Sequence, residues 1–264
     1  MKSGPKVGRA RQTGSVIDRS GYRLEFEDDL RDVSKTESKW LPYYLPQWAS
    51  RDHTRARLEP GALVIAEDQL PWAPQYDGPL RVTNLQSGVR SGPLGSGDGQ
   101  LRFRDDLVVS EEQEPQQLYT PTYGLVEVKA RAIAESNCMV ALFMIGFEAT
   151  PEQSGEICVM EIFGNEIAEG TALVGMGIHP WHDPNLYDDF DKIEVAGDVT
   201  QSHLYSVEWM PGATNFYINE TLVKSCDQAP DYPMQLMLDV YEFEPGGQYP
   251  KRFEVDYVRG YSTD

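Results

Sequence analysis

What most constrains this chain is how its apolar residues are distributed. They come in short runs rich in Val, Ile, Tyr, Phe and Trp, each ended by Gly, Pro, Asn or Asp, and none keeps a helical period. Strands are expected over residues 22–27, 62–66, 123–133, 139–146, 155–163, 173–178, 204–210, 214–218, 235–241 and 252–261. Several alternate: in 205–210, Tyr205, Val207 and Trp209 share one face, and Ser206 and Glu208 the other. Short strands with turn signals and few helices suit two packed antiparallel sheets better than a parallel sheet with crossover helices. The expected fold is therefore all-β, a β-sandwich of the jelly-roll kind. No repeat or linker divides the core, and 264 residues fit one such domain. Residues 1–20, basic and polar, are expected to form a disordered arm, leaving 21–264 as the domain.

Charge excludes some partners. Forty-two acidic residues against 23 basic ones give a formal net charge of −19, which repels nucleic acid and anionic membranes but not a neutral sugar. The three cysteines, Cys138, Cys158 and Cys226, are too few and too far apart for a disulfide framework or a zinc site. The opening MKSGPKVGRARQTG runs into no apolar stretch, so it is not a secretory signal. No run of about eighteen apolar residues occurs that could span a membrane. The expected location is cytoplasmic if Met1 is the native start, and secreted if the chain is a trimmed mature form.

Two long stretches, 67–121 and 179–200, carry no clear strand pattern. Loops of that length in a compact β domain are commonly functional. They hold Trp72, Tyr76, Trp181 and Tyr187, whose rings can stack on sugars or close over a core.

The segment GEICVMEIFG, residues 155–164, holds the chemistry. In a regular strand Glu156 and Cys158 share a face, and Glu161 has the wrong parity to join them. One extra residue, a β-bulge among Cys158, Val159 and Met160, would return Glu161 to the face of Glu156. The pair would then lie about 13 Å apart along the backbone, a gap that two leaning Glu side chains can largely close. Paired carboxyls about 5–5.5 Å apart are what a retaining glycosidase uses, one as nucleophile and one as acid/base. The alternative is a pair of solvated charges on an edge strand.

These residues resemble glycoside hydrolase family 16, whose signature is Glu-x-Asp-x-x-Glu in its bulged form. Here it reads Glu156-Ile-Cys158-Val-Met-Glu161. Tyr123-Gly124-Leu-Val-Glu127, the strand at 139–146, His203 to Trp209 with Phe216 to Asn219, and Asp256-Tyr257-Val258-Arg259 are similar to further family segments in the same order. The resemblance covers roughly residues 22–262. It implies a concave substrate cleft with Glu156 as nucleophile, Glu161 as acid/base and a histidine nearby, for which His179 is the first candidate and His182 the second. It also implies a polysaccharide or oligosaccharide partner, a β-linked glucan or galactan. A structural calcium held by Asp256, Glu27 and the backbone of Gly61 would follow too, with no organic cofactor.

The chain departs from the family pattern at three places. Cys158 stands where the signature has Asp, and is read as a passive replacement within the catalytic group. Cys138 and Phe143 stand where the family often has cleft tryptophans, and the insert at 67–121 obscures the subfamily. Two alternatives stay open: a non-catalytic lectin-like carbohydrate-binding protein on the same sandwich, and a transglycosylase.

Overall fold

A computed structural model describes residues 6–9 and 16–263. Two eight-stranded sheets make up most of it. The first runs, in spatial order, Lys6–Arg9, Asp189–Ala196, Thr171–His179, Glu156–Phe163, Cys138–Gly146, Met234–Glu242 and Arg81–Gln86, with Ile167–Ala168 joined to Thr171–His179. The second runs Thr221–Cys226, Ala213–Ile218, His203–Met210, Gly124–Ala130, Lys251–Thr263, Ala62–Ile65 and Arg57–Glu59, with Tyr22–Asp28 paired to Lys251–Thr263. Pairing in both sheets is antiparallel except at one edge, where Lys6–Arg9 runs parallel to Asp189–Ala196. The jelly-roll sandwich expected from the sequence is the fold observed.

Alternation places the inner faces against each other. Ile157, Ile162, Val174, Met176, Leu142, Leu236 and Leu238 of the first sheet join Val126, Val128, Tyr205, Val207, Phe216 and Phe253 of the second in one buried core. Each such side chain contributes about 1.5–3 kcal/mol when fully buried. This pattern requires a sandwich, since each sheet alone would leave a whole apolar face in water.

A second apolar cluster lies on the outer face of the first sheet. Tyr44, Leu45, Trp48, Trp72, Leu101, Leu107 and Val109 cover Met139, Ala141, Phe143, Ile145, Met237 and Tyr241. Hydrogen bonds from Trp48 Nε1 (2.9 Å) and Gln47 Nε2 (3.0 Å) to the Gln100 carbonyl tie the covering layers together. The long insert is thus a roof over half of this face. It also contains a strand of the first sheet, Arg81–Gln86, and the second long stretch contains Asp189–Ala196. Both are rich in polar residues, which hid them from an apolar pattern.

Part of the stretch expected as a disordered arm, residues 1–20, is described. Residues 6–9 are a strand, Val16 bridges to Thr221, and Ile17 is buried. Arg19 reaches both Glu127 and Glu220, so its charge has a fixed place on the second sheet. Residues 1–5 and 10–15 lie outside the described set. Among the described residues, no helix is long and apolar enough to cross a membrane.

One core position breaks the apolar rule. Asp239, in Met234–Glu242, is 0% exposed, and neither carboxyl oxygen has a hydrogen-bond partner. Burial pushes its pKa well above the ordinary value, with the charge of Glu156 adding to the rise and Tyr241 opposing it. Asn84, its pair on the neighbouring strand, has an equally unpartnered Oδ1. Unpartnered acceptors on two paired buried residues favour the neutral, protonated form of Asp239. The folded state therefore holds a proton that the unfolded chain releases above about pH 4, and the residue costs more stability as pH rises. Asp239→Asn should raise the Tm at pH 8 by about 2–4 °C, the equivalent of roughly 1 kcal/mol. The rise should be smaller at pH 4; equal shifts at both pH values in calorimetry would exclude the carboxyl as the cause.

Candidate active site

The outer face of the first sheet stays partly open where Glu156–Phe163 and Thr171–His179 run beside the roof. Glu156 pairs with Ile145 on one side and His179 on the other; Glu161 pairs with Ala141 and Gly175. Between them the register shifts by one residue, from Cys158 to Met160 against one neighbour and from Cys158 to Glu161 against the other. Val159 and Met160, adjacent in sequence, both enter the inner core. Two consecutive inward side chains are the mark of a bulge, and they turn Glu161 outward beside Glu156. Gly175 helps this approach: a Cβ there would lie 2.5 Å from the Phe190 ring and 3.3 Å from Glu161 Cβ.

The two carboxyls differ in surroundings. Glu156 Oε2 accepts a 2.7 Å hydrogen bond from Trp181 Nε1. Burial raises its pKa, while nearby His179 and the Trp181 bond favour its charged form. Glu161 is pushed up to about 7, first by burial and then by the negative charge of Glu156. The arrangement holds Glu161 protonated near neutrality and supplies Glu156 with a donor suited to a carboxylate. His179 lies across the ladder from Glu156, with Nδ1 2.7 Å from Asp188 Oδ1 and its ring stacked on Phe190 at 4.6 Å. The Asp188 contact fixes the ring and leaves Nε2 available.

Cys158 sits between the glutamates and is 1% exposed. Its Sγ lies 3.7 Å from the Gly175 carbonyl, and burial and both glutamate charges hold its pKa well above that of a free thiol. The thiol form of Cys158 is a filler, not a nucleophile.

The aromatic candidates separate. Trp181 is 41% exposed beside Glu156, and Tyr187 is exposed on the same connection. Trp72 is instead 1% exposed, its Nε1 3.2 Å from Asp77 Oδ2 and its ring against Tyr44 and Phe103. It is a roof residue that cannot stack on a ligand. Tyr76 packs against the same cluster, with the Arg104 guanidinium over its ring at 5.7 Å. His182 is removed from the pair, its Nε2 3.2 Å from the Arg102 carbonyl.

The residues expected to hold calcium, Asp256, Glu27 and the Gly61 backbone, have other partners. Asp256 takes hydrogen bonds from Arg131 (3.1 Å) and Ser202, and Glu27 takes one from Arg259 (2.7 Å). The Gly61 carbonyl accepts from Val255 N at 2.9 Å. Arg131, Ser202 and Arg259 thus bond to the carboxylates, and a peptide N–H to the carbonyl, that a hard metal would need. Among the described residues, no group of three or more His, Cys, Asp or Glu side chains could hold a metal ion.

Residues 114–259 match the family model described as glycosyl hydrolases family 16. The chain belongs to that family. Among solved structures, it is similar to the GlcNAcα1-4Gal releasing endo-β-galactosidase from Clostridium perfringens, with 29% identity and a TM-score of 0.78. That alignment covers 94% of this chain but 64% of the other, so the chain spans less than two thirds of that relative. It is also similar in fold to the non-specific endo-β-1,3(4)-glucanase SCLam, with 20% identity, TM-score 0.58, and 95% and 94% of the two chains covered. The laminarinase catalytic domain from Thermotoga maritima aligns at 16% identity and TM-score 0.58, covering 93% of this chain and all of that one. No curated protein matches.

The thiol environment of this family member makes a direct prediction. All three cysteines are free and buried. Iodoacetamide at pH 8 should leave the native protein unmodified by mass spectrometry and label three sites after denaturation. Rapid native labelling of Cys158 would contradict the burial described.

Proposed function

We propose that this family 16 member is an endo-acting hydrolase of β-galactosidic bonds, working by double displacement with retention. The observation that carries the reading is the bulge that sets Glu156 and Glu161 on one face, with Glu161 held protonated to about pH 7. The preference for galactosides over glucans rests on the endo-β-galactosidase likeness, whose identity and TM-score exceed those of the glucanases described above.

In the first step Glu156 attacks the anomeric carbon and the glycosidic C–O bond breaks. The Glu161 proton passes to the leaving oxygen, and the sugar remains esterified to Glu156. In the second, Glu161, now a carboxylate, takes a proton from water; the water oxygen attacks the anomeric carbon and frees Glu156. Once Glu156 is esterified its charge no longer raises Glu161, which releases its proton more easily, while burial keeps the carboxylate basic enough to take one from water. Trp181 has two uses: its N–H steadies the Glu156 carboxylate, and its exposed ring is a stacking surface for a sugar.

Glu161→Gln should lower kcat by about 10²–10⁴-fold, and Glu156→Gln should abolish turnover. Neither change should lower the Tm at neutral pH, because each removes a carboxyl that burial penalises. Reducing-end and product-anomer assays on β-galactan, mucin glycans and β-glucans check this. Inverted product would exclude double displacement, and binding without turnover in the wild type would make the protein a lectin.

The pH profile follows from the same carboxyls. Activity needs Glu161 protonated, so kcat/KM should fall above about pH 7. It also needs Glu156 ionised, so the acid limb should lie above the usual carboxylate range. Trp181→Phe removes the N–H donor and should move that acid limb upward with the alkaline limb nearly in place.

A further inference from the structure

The turn between Cys138–Gly146 and Glu156–Phe163 meets the roof insert around a cavity of about 480 Å³, within the ~300–1,000 Å³ of ligand sites generally. Gly97, Asp98, Arg102, Glu148, Pro151 and His182 line it. It begins one residue from Trp181, whose indole is bonded to Glu156. The His182 main-chain N–H donates to Ser154 Oγ at 2.9 Å, which fixes this wall to the turn that leads into the strand carrying the glutamates.

Three features distinguish the cavity from a gap between loops. Glu148 is 5% exposed and has φ of +57°, a conformation uncommon for a residue with a side chain. Its Oε1 accepts from Leu101 N at 2.7 Å, and burial pushes its pKa to about 8, so at neutral pH the group carries a proton to donate. Arg102 Nε is buried without a partner, although the other end of its guanidinium donates to the Asp105 carbonyl at 2.5 Å. His182 Nε2 faces the Arg102 carbonyl, and when that nitrogen donates, Nδ1 is left as an acceptor. Strain, a buried neutral acid and an orphaned donor each cost folding free energy, and all three lie around one cavity.

We propose that this cavity is a binding site for a neutral sugar unit of the substrate, distant from the bond being cleaved and contacted by Glu148, Arg102 and His182. The proposal rests on reading the glutamate site as a glycosidase and adds a second, recognising end to it. A neutral ring is favoured over an acidic one. Asp98 stands at the wall with Arg90 already bound to both its oxygens, and the chain as a whole is strongly acidic. Glu148 supplies a donor, Arg102 a second, and His182 an acceptor, a mixture that suits hydroxyl or amide groups.

The test uses full-length Glu161→Gln protein, titrated calorimetrically with neutral oligosaccharides of two to six units from β-galactan, from mucin glycans and from β-glucan. Affinity should rise with length until the cavity is filled. In that background Arg102→Ala and His182→Ala should each weaken the longer ligands about tenfold and leave the shortest binding ligand unchanged. His182 is exposed, so its truncation should keep the fold even if Arg102→Ala does not, and Tm measurements check both. Unchanged affinity for long ligands in the folded variants, with binding lost in Trp181→Ala, would overturn the cavity proposal and leave the glycosidase reading standing. No carbohydrate binding by the parent and no hydrolysis by the wild type would remove both.

Discussion

Side chains on a strand alternate, so two glutamates five residues apart can share a face only if the alternation is broken once. The bulge at Cys158–Met160 is that break, and everything functional here depends on it. It sends Val159 and Met160 together into the inner core, where their burial holds the irregular backbone in place. It also puts Glu161 next to a carboxyl whose charge raises its own pKa. Packing energy on one face of the sheet thereby sets the surroundings of two carboxyls on the other.

The roof extends the same logic. A strand face exposed to water would leave both glutamates near their ordinary pKa values, and neither would be matched to neutral conditions. Covering the neighbouring strands with Tyr44, Trp48, Trp72 and Leu101 lowers the local dielectric without closing the face entirely. The cost is visible at Asp239 and Glu148, acids that the folded chain keeps only by retaining a proton. Cys158 fits this setting: a carboxylate buried to the same depth would need a partner, and a thiol does not.

The strands that face a core on one side were legible from sequence because their apolar residues alternate, as in His203–Met210. Arg81–Gln86 and Asp189–Ala196 were not. Thr83, Asn84 and Gln86 are buried yet polar, and Asp189 and Asp191 are held by Lys224 from the opposite sheet, an ion pair no local pattern reveals. The bulge could be inferred from a parity mismatch, a purely local fact. The fates of Trp72 and Trp181 could not, because both sit in loop-like segments of similar composition and only tertiary packing decides which ring is covered. Asp239 carries a local signal, an acid inside the apolar run LMLDVY. Glu148 carried none, since its burial comes from a loop nearly fifty residues earlier in the chain.

The roof has one more effect, on traffic. Ala141, the residue beside Glu161 on the next strand, is already buried under it. Adjacent strands are about 4.8 Å apart, less than the width of a sugar ring. A polymer laid across this sheet in that direction would therefore meet the roof one strand from Glu161. A groove open at both ends lets a chain slide and be cut at any register. On the proposed glycosidase reading, one closed side would restrict the registers in which a chain can reach the glutamates.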